Sequence, residues 1–131
     1  MPSARHVLLV DDHPETRAVL AYVVPRFYPF VTIAEASNGT EALRAVGQQY
    51  PELIITDYHM PGMNGLDLAR ALRAQGMQMP IVAISSELDI AEGILAAGAT
   101  HFLPKPFPLL ELRTLLHAVL GADDAAQAVG E

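Results

Sequence analysis

Cysteine is absent from the 131 residues, lysine occurs once, and no apolar run approaches the ~20 residues needed to cross a bilayer. Each shortage excludes a class of function. Without thiols there are no disulfides, thiolate nucleophiles or zinc–thiolate sites, so redox chemistry is not expected and a reducing compartment suits the chain. The opening Met1-Pro2-Ser3-Ala4-Arg5-His6 leads straight into a short strand-like run and does not resemble a signal peptide. A soluble, cytoplasmic protein without membrane association is therefore expected. Basic surplus is missing too: the formal net charge is −7, and phosphate backbones are held mainly by clustered Lys and Arg, so direct nucleic-acid binding by this chain is disfavoured. There is no internal repeat or low-complexity tract, and the length suits one domain.

The single lysine is informative because the other seven strong bases are all arginine. Lys105 sits between two prolines in His101-Phe102-Leu103-Pro104-Lys105-Pro106-Phe107. A compact ammonium that donates in any of three directions does what a planar guanidinium cannot, which points to point-charge chemistry with an anion. Three aspartates can supply one. Asp11 and Asp12 end the run Val7-Leu8-Leu9-Val10, and Asp57 ends Leu53-Ile54-Ile55-Thr56. A hydroxyl, Ser85, ends a third such run, Ile81-Val82-Ala83-Ile84. Apolar runs that each hand off to a polar residue are what parallel strands produce when their carboxyl ends share one sheet edge.

Strand-like and helix-like stretches alternate five times, predicting an α/β fold with a parallel sheet and helices on both faces. Strands are expected near 5–10, 30–35, 53–57, 81–84 and 100–104. The first helix is opened by Pro14, carries Val19, Leu20, Val23 and Val24 on one stripe, and is broken by Pro25 and Pro29. The second runs near 39–49 from the entry turn Asn38-Gly39-Thr40, with Leu43 and Val46 inward, and the third near 66–74. The fourth, near 89–97, stops at Gly98, and the last, about 108–120, bears Leu109, Leu112, Leu115, Leu116 and Val119 as an apolar stripe. Residues 1–121 form the domain in this reading, and 122–131, poor in apolar residues, a flexible tail or linker stub.

Carboxylates crowded together repel, and a bound cation keeps them ionised at neutral pH. Mg2+ suits oxygen ligands and retained waters, with Asp12 and Asp57 as direct ligands. A carboxylate so placed can attack a phosphoryl group and become an aspartyl phosphate, while metal, lysine and hydroxyl stabilise the transferred oxygens.

At this point the motifs Asp11-Asp12, Asp57-Tyr58-His59-Met60-Pro61-Gly62-Met63-Asn64-Gly65, Ser85-Ser86 and Ala97 through Phe107 can be taken together. From about residue 5 to 120 the chain resembles a two-component response-regulator receiver domain, similar to the chemotaxis response regulator. The resemblance implies a flavodoxin-like receiver fold, five parallel strands in order 2-1-3-4-5 with five helices. It also implies phosphorylation of Asp57 by a histidine kinase or histidine phosphotransfer protein. By position, Asp11 would hold Mg2+ through water, Asp12 and Asp57 directly, and His59 through its backbone carbonyl. Ser85 would bond the phosphoryl group, Lys105 pair with it, and Phe102 act as the switch aromatic. The output would be the face of helix four, strand five and helix five, acting on a downstream protein partner or effector domain, or through a transient homodimer. By the same resemblance the Lys105–Pro106 peptide would be cis.

Plainer roles stay open for several residues. Ser85 also suits a helix cap, Phe102 core packing and His59 an exposed loop, while His6, His13, His101 and His117 lack metal-ligand spacing and read as surface or cap residues. Between Ser85 and Gly98 the chain is about two residues shorter than many receivers, which predicts a trimmed loop or first turn before helix four. The leading expectation is a signalling switch and not an enzyme, either self-contained or excised from a hybrid histidine kinase or DNA-binding regulator. A magnesium phosphatase with an aspartate nucleophile is the distant enzymatic alternative, disfavoured because His59 stands where such enzymes carry a second acid. A flavodoxin-like cofactor carrier is weaker still, since Asp11-Asp12-His13-Pro14-Glu15 would repel the phosphate it must hold.

Overall fold

The computed structural model describes residues 5–121. Five parallel strands form one sheet in the order β2-β1-β3-β4-β5, namely β1 (Arg5–Val10), β2 (Val31–Ala36), β3 (Leu53–Asp57), β4 (Ile81–Ser85) and β5 (His101–Pro104). The central strands β3 and β4 are buried at every position, as their unbroken apolar runs require. Along β1, Val7 and Leu9 join one core with Leu20 and Val24 of α1 (Pro14–Phe27) and Leu112 and Leu116 of α5 (Leu109–Leu120). Leu8 and Val10 join the other, with residues of α2 (Gly39–Gln48), α3 (Gly65–Ala74) and α4 (Ala91–Ala97). The two-residue period of the strand thus feeds two helical layers, and the order 2-1-3-4-5 is as expected.

Helix ends follow local chemistry. The Asn38 side chain accepts from the Glu41 N–H at 2.8 Å to open α2, and Asn64 and Asp67 form a reciprocal capping box at the start of α3. Arg73 on α3 donates to the Gly98 carbonyl from Nε and Nη2, at 3.0 and 2.8 Å, pinning the turn from α4 to β5.

Four expectations need correction. Pro25 does not break α1, which runs on to Phe27. The missing donor falls in the last turn, Tyr28 N–H still bonds the Val24 carbonyl at 2.9 Å, and the buried Tyr28 hydroxyl donates to the Leu120 and Gly121 carbonyls, so tertiary anchorage outweighs the local penalty. Val19 and Leu109 are not core residues: they are 56% and 51% exposed, outside the arc that faces the sheet. Helix four starts later than expected, a 3-10 turn over Leu88–Ile90 replacing its first residues. β2 runs one residue beyond its expected end, to Ala36. The Lys105–Pro106 peptide is cis. The tail assigned to 122–131 lies outside the described residues.

Candidate functional site

The carboxyl ends of β1, β3 and β4 place the predicted polar residues on one rim. Beyond the strands the backbone ladder continues: Tyr58 N–H bonds the Ile84 carbonyl and Lys105 N–H the Ser85 carbonyl, each at 2.9 Å. These two bonds fix where the loops after β3 and β5 leave the sheet. Asp57, only 5% exposed, receives the Lys105 ammonium at 3.2 Å on Oδ1. Carboxylate oxygens of Asp11, Asp12 and Asp57 and a ring nitrogen of His13 all lie within 4.8 Å of one another. Ser85 is buried at the next strand end, one residue past Ile84, the register partner of Asp57. Its hydroxyl oxygen accepts from the Glu87 N–H at 3.0 Å. Phe102 is half-buried on β5, packed against the α2–α3–α4 core.

Burial pushes the Asp57 carboxyl above its ordinary pKa; the Lys105 charge and hydrogen bond work against this, and the Asp11 and Asp12 charges add to it. One lysine does not balance three carboxylates. Asp12 Oδ1 is a buried atom that accepts no hydrogen bond, since the His13 ring nitrogen 3.2 Å away lies in ion-pair range but out of hydrogen-bond geometry. An orphaned anionic oxygen beside two more carboxylates is a donor set that fits a divalent cation.

Three contacts were not anticipated from sequence. Arg17 of α1 donates from Nη1 to the Asp11 carbonyl at 2.6 Å and from Nε to Glu35 at 2.8 Å, which ties the aspartate pair to β2. His13, expected as a surface or cap residue, is 62% exposed and begins α1 without a side-chain cap bond, its ring turned instead toward Asp11 and Asp12 at 3.3 and 3.2 Å. The His59 ring nitrogen Nε2 lies 2.7 Å from Glu87 Oε1, a contact that joins the loops after β3 and β4. A basic residue just after the Asp-Asp pair, and another one turn into the following helix, were the sequence signals for the first two.

The acceptor loop leaves no room at Gly65. A Cβ there would lie 2.9 Å from the Asp57 carbonyl oxygen and 3.0 Å from the Tyr58 Cα, both backbone atoms. Gly65→Ala is expected to destabilise the fold by about 1–3 kcal/mol and to displace the loop that carries Asp57. A lower urea midpoint with an unchanged slope would show the first effect; an unchanged midpoint would mean the loop yields freely.

The family model described as the response regulator receiver domain matches residues 7–117. The chain belongs to the response-regulator receiver family. The DNA-binding response regulator MtrA from Mycobacterium tuberculosis is 36% identical over 126 residues, 95% of this chain and 54% of that protein. The signal receiver domain of NarL from the same organism superposes with a TM-score of 0.81 at 30% identity, covering 92% of this chain and 99% of that one. The receiver domain of sensor histidine kinase PA1611 from Pseudomonas aeruginosa, solved with a magnesium ion in its active-site cleft, gives 0.80 at 27% identity over 91% and 99%. The chain spans about half the length of the curated relatives it matches. Receiver domains are signalling switches, so a role in two-component signal transduction follows from membership. Among the described residues no helix is long and apolar enough to cross a membrane.

Proposed function

We propose that this receiver domain is switched by phosphorylation of Asp57. The observation that carries the reading is the buried Asp57 carboxylate, held at 3.2 Å by the chain's only lysine and flanked by Asp11 and Asp12. A phosphohistidine of a histidine kinase or phosphotransfer protein would be the donor. An Asp57 carboxylate oxygen attacks phosphorus, the P–N bond breaks, and the imidazole leaves with its electron pair and takes up a proton. Bound Mg2+ would supply charge neutralisation for the acid cluster and the transferring oxygens, held by Asp12, Asp57 and the His59 carbonyl and, through water, by Asp11. Lys105 pairs with a phosphoryl oxygen and the Ser85 hydroxyl donates to another. The same hydroxyl accepts from the Glu87 N–H at 3.0 Å, so a shift of Ser85 toward the phosphoryl group would pull on the loop leading into α4. The apolar groove between α1 and α5, lined by Val19, Val23, Phe107 and Leu109 with Asp11 and Lys105 on its rim, offers a donor a seat beside the acceptor.

Output would pass through α4, β5 and α5, with Phe102 turning inward as Ser85 moves. Three partners fit this face: a separate protein, a second copy in a transient homodimer, or an effector domain of a longer chain. Both the partial coverage of the relatives and the DNA-binding description of MtrA favour keeping the last of these. In that case nucleic-acid contact would belong to the effector and not to this acidic domain. The test is the amide response to beryllofluoride, a phosphoryl mimic. Shifts concentrated in residues 85–115 are expected; shifts confined to α1 would show the assigned output face to be wrong.

The His59–Glu87 pair would flank the path of the water that hydrolyses the aspartyl phosphate. Being exposed, the pair adds little to stability, about 0–1 kcal/mol. Removing either partner is therefore expected to alter the phosphoryl lifetime by about threefold or more while leaving the melting temperature nearly unchanged. Lifetimes equal to the parent's in both His59→Ala and Glu87→Ala would place the water elsewhere.

A further inference from the structure

We infer that His13 is a metal-selectivity residue: its imidazole makes this acid cluster a mixed carboxylate–nitrogen site that holds a late first-row divalent ion, such as Zn2+, more tightly than Mg2+. The inference rests on the proposed metal site at Asp12 and Asp57 and concerns which ion that site prefers.

Three observations support it. His13 stands at the N-cap of α1, where a side chain usually accepts a helix N–H, yet its ring makes no such bond. The Nδ1 atom lies instead 3.3 Å from Asp11 Oδ1 and 3.2 Å from Asp12 Oδ1. The contact to Asp11 is a hydrogen bond, and with the ligand atoms of Asp11, Asp12, His13 and Asp57 all within 4.8 Å of one another the ring nitrogen is within reach of an ion held by Asp12 and Asp57. Finally, the His13 backbone N–H donates to Asp11 Oδ1 at 2.9 Å, which fixes the loop so that ring and carboxylates face one another. Magnesium gains little from imidazole, whereas Zn2+, Co2+ and Ni2+ gain a strong bond. The consequence is a receiver whose acid site responds to which divalent ion is available.

Calorimetric titration of the protein with ZnCl2 and, separately, MgCl2 tests this, using the parent, His13→Asn and His101→Ala. His13→Asn is expected to weaken zinc binding about tenfold or more while changing magnesium affinity less than about threefold, with His101→Ala, on β5 outside the acid cluster, retaining the parent's zinc affinity. Zinc should also move the Nδ1 resonance of His13 in a nitrogen-15 imidazole spectrum. Equal zinc affinity in parent and His13→Asn, or loss of zinc in His101→Ala alone, would overturn the inference while leaving the magnesium site intact. Failure of the parent to bind either ion would overturn both this inference and the proposed site beneath it.

Discussion

Asp57→Asn is expected to melt several degrees above the metal-free parent although it can no longer accept a phosphoryl group. The buried Asp57 carboxylate is held above its ordinary pKa by desolvation and by the charges of Asp11 and Asp12, against the opposing pull of Lys105. Removing its charge relieves that cost. The pH dependence has a definite sign. A carboxyl whose pKa is higher in the folded than in the unfolded protein retains its proton after the unfolded chain has lost it. Stability therefore falls as pH rises through that window and stays reduced above it. The asparagine variant lacks this titration, so its advantage should be absent at acid pH, grow through the window and be complete at neutral pH. Added Mg2+ should narrow the gap by stabilising only the parent. Thermal melts at several pH values, with and without the metal, measure all of this. A variant less stable than the parent at neutral pH would mean that the Lys105 pair outweighs burial and like-charge repulsion.

Lys105→Arg is expected to behave as a loss of coupling and not as a conservative change. The ammonium reaches Asp57 Oδ1 as a single contact at 3.2 Å from a backbone position tied to the Ser85 carbonyl. A guanidinium is wider, and its donors point along a fixed fork. With Leu103 buried on one side and Pro106 on the other, the backbone has little freedom to compensate. Phosphoryl incorporation should persist, because cation and acceptor remain, while the beryllofluoride-induced amide shifts across 85–115 shrink by about half or more. Shifts of full size in the arginine variant would remove Lys105 from the switch.

The sheet was legible in the sequence because the apolar runs of β1, β3 and β4 each hand off to a polar residue at one sheet edge. Asp11, Asp57 and Ser85 mark the ends of apolar runs that are buried almost throughout. The helices were less legible at their edges. Pro25 reads as a break when only local hydrogen bonding is weighed, and the tie from Tyr28 to Leu120 and Gly121 spans more than ninety residues that no local window sees. Val19 and Leu109 match a helical period, yet the arc facing the sheet is narrower than their stripes suggested. In the site, charge identified the cluster but not its geometry. That His13 turns toward the aspartates while Arg17 grips the Asp11 carbonyl depends on how α1 leaves β1, which spacing alone does not specify.

The most direct test of the central claim is the intact mass of the protein after incubation with acetyl phosphate, taken for the parent and Asp57→Asn, each with Mg2+ or with chelator. The account predicts a gain of one phosphoryl unit in the parent with Mg2+ and none in the other three samples. Equal labelling of Asp57→Asn, or labelling of the parent that chelator does not reduce, would contradict it.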